Sequence, residues 1–246
     1  MFRQLAPRPK GGASMIDQRD ARKREAAMAA VAMVEDGMVV GLGTGSTAAF
    51  AIEGLIVRVR DGLRIAGIPT SERSAKQALE GGIPLTDFAH HTKLDLTIDG
   101  ADEIARESLD LIKGLGGALL REKIVAAASD RLVIIADEPK LLSRLGETAP
   151  VPVEVVTFGW ETTAARLTKL GARPVLRKIQ DGAVFRSDGG NLILDCHFGA
   201  ISDPARLEQN LSGIVGVVET GLFIGMATTV LVATSSGIVR LDRARS

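Results

Sequence analysis

Apolar and polar positions along the chain change period several times, and each change marks an element. The Ala-rich residues 21–35 favour helix by propensity and stop at Asp36-Gly37. Residues 38–42 form a short apolar run of the buried-strand type, Gly43 to Thr47 a glycine loop, and 48–59 a second helix. Residues 63–68 predict a strand, 74–80 a helix closed by Gly81-Gly82, and 94–98 a strand running into the acidic segment 99–103. A helix at 119–128 and a strand at 132–136 continue the series. Strands alternating with helices predict a mostly parallel sheet covered on both faces, a Rossmann-like α/β domain.

Near Pro150-Val151-Pro152 the rhythm changes, because proline restricts itself and the residue before it. Strand 153–156, helix 161–170, strands 173–178 and 192–198, helix 204–211 and strand 217–223 follow. That order, β-α-β-β-α-β, predicts a smaller α+β ferredoxin-like domain. Residues 229–233 and 237–241 predict a terminal hairpin, joined through Ser235-Ser236, that returns to the first domain. The expected organisation is therefore a larger α/β domain from 15–149 and 225–246, with the ferredoxin-like domain, 150–224, inserted before the C-terminal strands. Residues 1–14 hold three basic residues, two prolines and a glycine pair but no apolar core of a secretory signal. They read as a disordered extension, with Met15 the natural start.

Composition narrows the partners. Thirty Lys+Arg balance thirty Asp+Glu, so no net field draws the molecule to nucleic acid or an anionic membrane. Aromatic residues make up 3 % and none is tyrosine, so stacking platforms for single-stranded nucleic acid are scarce. No run approaches the ~18 to 20 apolar residues of a membrane-spanning helix, and a soluble protein is expected. The single cysteine, Cys196, excludes an internal disulfide or a cysteine-rich zinc site and reads as a buried small hydrophobe in a cytoplasmic protein.

Three segments could carry chemistry. In Gly41-Leu42-Gly43-Thr44-Gly45-Ser46-Thr47 a glycine loop joins a strand to a helix, where free N–H groups and the helix dipole favour an anion. No lysine precedes the Ser-Thr pair, and Ser46 occupies the third glycine position of G-x-G-x-x-G, so a terminal monophosphate suits the loop better than a nucleotide. The plain alternative is a tight turn with Ser46 or Thr47 as N-cap. Asp99-Gly100-Ala101-Asp102-Glu103 places three acids at the carboxyl end of a strand, where open parallel sheets put their ligand crevice and crowding raises a carboxyl pKa. It lacks calcium-loop spacing, and its plain alternative is a solvated turn with Asp99 capping a helix and Glu103 exposed. In the third, Lys113 precedes a glycine stretch (Gly114, Leu115, Gly116, Gly117) and a helix carrying Glu122. A bent loop would bring ammonium and carboxylate together across a small ligand, or else Glu122 lies on a solvated helix face. His90, His91 and His197 have no metal-ligand spacing, and Ser71 lacks a nucleophile elbow and more simply starts the next helix.

Taken in order, Gly43 to Thr47, Asp99 to Glu103 and Lys113 to Glu122 resemble the signature blocks of the type A ribose-5-phosphate isomerases. The resemblance continues through Asp137-Glu138-Pro139-Lys140, residues 152–155, 190–195 and 221–223, and covers about residues 20–241. It implies interconversion of ribose 5-phosphate and ribulose 5-phosphate in the pentose phosphate pathway, with neither metal nor organic cofactor. A homo-oligomer, a dimer before a tetramer, is implied as well. Carried over by position, it makes Glu122 the base moving a proton between carbons 1 and 2. Substrate-binding positions are Thr44, Gly45, Ser46, Thr47, Asp99, Gly100, Ala101, Asp102, Lys113, Gly114, Leu115 and Gly116, with Lys140 and Lys23 as phosphate-end cations. Leu115 departs from the family, in which many members carry glycine there.

The chemistry agrees with these assignments. Aldose-ketose isomerisation through an enediolate needs one positioned base and a positive group near the developing oxyanion, and Glu122 and Lys113 supply them. Ring opening needs proton traffic at the ring oxygen, for which Asp99 is the candidate, with Asp102 orienting hydroxyls or Lys113. The alternatives are a non-catalytic sugar-phosphate sensing module, which has no use for a base, and a sugar-phosphate deaminase or lactonase, which would place different groups.

Overall fold

The computed structural model describes residues 15–244, so the expectation for residues 1–14 lies outside the described residues. In chain order the elements are α1 (Met15–Val31), β1 (Val39–Leu42), α2 (Ser46–Arg60), β2 (Ala66–Pro69), α3 (Glu72–Gly81), β3 (Leu96–Gly100), β4 (Glu103–Ala105) and β5 (Leu111–Ile112). They continue with α4 (Leu119–Ala127), β6 (Leu132–Asp137), a 3-10 turn (Glu138–Lys140), β7 (Leu141–Leu142), β8 (Val151–Val155), α5 (Trp160–Lys169) and β9 (Arg173–Leu176). The last are β10 (Leu192–His197), α6 (Pro204–Ser212), β11 (Val217–Thr220), β12 (Leu222–Phe223), β13 (Thr229–Thr234) and β14 (Gly237–Asp242).

The alternating apolar strands build a six-stranded sheet in the order β14-β13-β6-β3-β1-β2. Only the edge strand β14 runs antiparallel to its neighbour. All six residues of β6 are buried, because both faces of the sheet are covered. Val133 and Ile135 enter a core shared with α1 and α2, while Leu132 and Ile134 enter a second core with Leu111 and Phe223. Each such side chain, fully withdrawn from water, contributes about 1.5–3 kcal/mol before entropy is counted. Strand order reverses between β1 and β3, so the carboxyl ends of these two strands flank the crevice where open α/β sheets bind ligands.

Strands β8 to β11 form a separate antiparallel sheet in the order β11-β8-β10-β9, with α5 and α6 as its connections. This is the ferredoxin-like arrangement expected from the element order. Its core holds Val151, Val153, Val155, Leu194 and the buried Cys196, whose thiol is pushed up to about 12 by burial. The C-terminal hairpin β13–β14 then returns to the large sheet.

Several expectations need correction. The first helix ends at Val31 rather than at residue 35, because Arg58 Nη1 donates to the carbonyls of Val31 and Val34 at 2.7 Å each and the chain tightens into i→i−3 turns. The strand expected at 63–68 starts at Ala66, since Asp36 holds Arg64 through both backbone and side chain. The single strand expected at 217–223 is two strands in different sheets. Gly221 makes the transfer, donating to the Pro152 carbonyl (2.7 Å) and accepting from Lys113 N–H (2.8 Å). The short strands β4, β5, β7 and β12 form a third sheet that no periodicity announced.

Candidate functional site

Approach of β1 to β3 sets the glycine loop. The Gly43 N–H donates to the Ile98 carbonyl and the Thr44 N–H to Asp99 Oδ1, both at 3.0 Å. A Cβ on Gly43 would sit 2.3 Å from that same carboxylate oxygen, so glycine is required there. Gly45, without a side-chain cap bond, occupies the N-cap of α2, which leaves the first N–H groups of the helix free. The plain alternative, with Ser46 or Thr47 as N-cap, is therefore not what the structure shows. Their hydroxyls have no hydrogen-bond partner among the described residues and line a cavity of about 260 Å³, near the small end for ligand pockets. The Thr44 hydroxyl points away, into a buried cluster with Thr70 (2.7 Å), Ser71 (2.8 Å) and Ser74 (3.2 Å). Ser71 starts α3, accepting the Ser74 N–H.

At the floor of the cavity lies a charge cluster. Lys113 Nζ is 3.0 Å from Asp99 Oδ2, 3.4 Å from Glu122 Oε1 and 2.6 Å from the Gly100 carbonyl, so its three protons face three acceptors. Lys113 and Glu122 thus touch directly rather than across a ligand. Glu122 is buried in the first turn of α4, not on a solvated face, and its Oε2 has no partner among the described residues. Burial pushes its carboxyl up to about 8; the Lys113 ammonium opposes this, and the nearby Asp99 and Asp102 carboxylates reinforce it. Burial likewise raises Asp99 against the pull of Lys113. Burial alone would lower Lys113, yet attraction to Asp99, Glu122 and Asp102 outweighs it and keeps the ammonium charged.

Gly100, Ala101, Asp102, Gly114 and Gly116 also line the cavity, and so does Lys140, whose Nζ donates to the Ala101 carbonyl. Burial lowers the Lys140 pKa, against the attraction of Asp102 and Asp137. Three expected positions lie outside the lining: Asp99 is buried behind it, against Lys113, and Leu115 and Lys23 lie elsewhere. Leu115 is exposed and does not line the cavity; its N–H instead donates to Asp102 Oδ2 at 2.9 Å. Lys23 pairs with Asp20 at 3.2 Å and lies outside the lining, although its charge helps to lower the Lys140 pKa. Glu103 is not exposed at all: it is buried and accepts the N–H groups of Gly146, Thr148 and Ala149, a structural carboxylate in a loop. Sequence reasoning missed Arg73. It lines the cavity from α3, exposed and without a hydrogen bond or ion pair among the described residues, and its only signal was its place one turn beyond the β2 end.

A mostly parallel α/β sheet with an anion-type loop and a sealed carboxylate-ammonium cluster at its switch point has the layout of an α/β enzyme site for a small molecule. The sequence model of the family described as Ribose 5-phosphate isomerase A (phosphoriboisomerase A) matches residues 66–237. A Gloeobacter violaceus protein named ribose-5-phosphate isomerase A is 61 % identical over 219 residues, which is 89 % of this chain and 95 % of that protein. One of the same name from Gluconobacter oxydans is 60 % identical over 217 residues, covering 88 % of this chain and 94 % of that one. Among solved structures, ribose 5-phosphate isomerase A from Methanocaldococcus jannaschii superposes with a TM-score of 0.88 at 39 % identity, covering 91 % of this chain and 99 % of that one. A D-ribose-5-phosphate isomerase in complex with phospho-erythronic acid gives 0.88 at 37 % identity, covering 92 % and 99 %. The chain belongs to the ribose 5-phosphate isomerase A family and is an isomerase.

Proposed function

We propose that the protein interconverts D-ribose 5-phosphate and D-ribulose 5-phosphate through an enediolate, with Glu122 as the base. The observation that carries this reading is the buried, unpartnered Oε2 of Glu122, in a side chain that lines the cavity while Oε1 faces Lys113 at 3.4 Å. A carboxylate with a pKa near 8 is a far better proton acceptor than one in water, and its charged fraction grows as pH approaches that value.

Phosphate binds at the free N–H groups and hydroxyls of Ser46 and Thr47, with Lys140 alongside. It does not react, so its binding energy positions carbons 1 and 2. Glu122 removes the proton from carbon 2 of the aldose and returns it to carbon 1, while the hydroxyl proton of oxygen 2 passes to oxygen 1, so the aldehyde becomes an alcohol and the alcohol a ketone. As Glu122 takes the proton it loses its charge, and the 3.4 Å contact is the longest and weakest of the three that Lys113 makes. That ammonium contact then transfers to the enediolate oxygen, so positive charge reaches the substrate when negative charge develops there. To Asp99, held by the N–H groups of Thr44 and Gly100 as well as by Lys113, we assign the proton traffic of ring opening. Asp102 orients a hydroxyl while fixing Leu115.

Ribose 5-phosphate incubated in deuterated water with a chelator, followed by NMR, tests the assignment. The wild-type protein forms the ketose and incorporates deuterium, whereas Glu122→Gln loses most turnover and keeps sugar-phosphate binding. A fully active Glu122→Gln protein would overturn it. With this reading go the pentose phosphate pathway, a cytoplasmic location and a homodimer, the last tested by sedimentation.

A further inference from the structure

The loop that carries Gly114 to Gly117 has little structure of its own, yet it fixes Lys113 at one end and leads into α4 and Glu122 at the other. What holds it comes from the other sheet. Arg177, just past β9, turns one edge of its guanidinium to Asp195 on β10, with Nε on Oδ2 at 3.0 Å and Nη2 on Oδ1. Its Nη1 reaches the carbonyls of Gly114 at 2.8 Å and Leu115 at 3.2 Å. The Arg177 side chain is 10 % exposed, so these contacts are largely withdrawn from water. On the other side of the same peptides, the Leu115 N–H is taken by Asp102.

Residues 177–191 reinforce the contact. The Phe185 ring lies against Gly117, where an added Cβ would fall 2.3 Å from Cζ, and Arg177 Cζ stands 5.8 Å from the ring centroid. Asp188 Oδ2 accepts the Glu72 N–H at 2.9 Å and lies 3.6 Å from Arg121 of α4. The buried Glu154 anchors the excursion through Ser187 (2.6 Å) and Asn191 (2.9 Å). The glycine loop is therefore gripped between Asp102 on the cavity side and Arg177 on the far side.

We infer that Arg177 is a positioning residue for the isomerisation: oriented by Asp195, its guanidinium fixes the Gly114 and Leu115 peptides, and through them the placement of Asp102, Lys113 and Glu122 around the substrate. Arginine suits this role because its planar fork serves a carboxylate on one edge and two carbonyls at one nitrogen, which an ammonium cannot reproduce. The inference rests on the reading of Glu122 as base. It adds that the ferredoxin-like sheet takes part in setting the reacting geometry.

The test compares wild type, Arg177→Ala, Arg177→Lys and Asp195→Asn, with binding sites counted by calorimetry using phospho-erythronate. Misplacement by about an ångström costs on the order of 10²-fold, so Arg177→Ala should lose about that much kcat per binding site. KM should stay within about threefold, because the phosphate contacts are untouched, a tighter bound than the roughly tenfold that one lost hydrogen bond to a charged group produces. Arg177→Lys should recover less than a tenth of the lost rate, since it cannot fork. Asp195→Asn, which keeps the packing, should show a smaller loss of the same kind. The acid limb of the kcat/KM profile should also move to lower pH in Arg177→Ala, as a loosened loop admits water to Glu122, faced by Lys113, Asp99 and Asp102. A change in folded fraction alone would scale that profile without moving it. Wild-type kcat per site and an unmoved limb in Arg177→Ala would overturn the inference. An inactive wild type, or an active Glu122→Gln, would instead overturn the reading on which it rests.

Discussion

Lys113 Nζ and Glu122 Oε1 lie 3.4 Å apart, with both side chains under 5 % exposed, yet the carboxylate is not the better stabilised partner of the ammonium. Asp99 is closer, at 3.0 Å. One cation shared among Asp99, Glu122 and Asp102 leaves Glu122 under-compensated, which is why burial prevails and its pKa rises.

Glu122→Gln keeps shape and removes the base. Turnover should fall about 10²- to 10⁴-fold, the usual contribution of a positioned general base. Sugar-phosphate affinity, measured by calorimetry, should stay within about threefold, less than one lost hydrogen bond to a charged group would cost.

Activity should rise with pH on the acid side. A base must be deprotonated, and the Glu122 pKa near 8 means that kcat/KM should climb up to tenfold per pH unit below that value and level above it. A profile already flat from pH 6 would contradict the raised carboxyl.

The same group links stability to pH. Between the ordinary carboxyl value of 4.5 and about 8, the folded protein keeps a proton at Glu122 that the unfolded chain releases. Stability from this group is therefore complete below 4.5 and is lost as pH rises through about 8. Thermal midpoints from pH 5 to 9 should show Glu122→Gln gaining on wild type as pH rises.

Lys140→Ala should act mainly on capture of the phosphorylated sugar. Hydrogen bonds to charged groups contribute about 1.5–3 kcal/mol, so KM and the sugar-phosphate dissociation constant should rise about ten- to a hundredfold. Turnover at saturation should change little. Unchanged affinity would remove Lys140 from the phosphate end.

Arg73 stands exposed at the cavity without a partner among the described residues, so it can meet an incoming anion before the buried cations do. Arg73→Ala should lower kcat/KM several-fold at low ionic strength, with the difference shrinking as salt screens the charge. Equal kcat/KM for the two proteins in dilute buffer would show no such role.

Much of this protein is decided by neighbours in sequence. The apolar period fixes the β-α alternation and the ferredoxin-like order, because burying one stripe of a helix or both faces of a strand is a local requirement. The glycine loop at the end of β1 and the acids at the end of β3 are equally local, and parallel strands bring such ends together. Tertiary structure decided the rest. The third sheet is made of strands two or three residues long, too short to show a period. Glu103 and Glu122 look alike in the chain, but one is folded onto three backbone N–H groups and the other sealed beside Lys113 with an oxygen unpaired among the described residues. Leu115 turned outward, Arg73 faced the cavity, and Arg177 reached back across more than sixty residues to Gly114. Contacts of that span are set by how whole elements pack, and no window of sequence contains both partners.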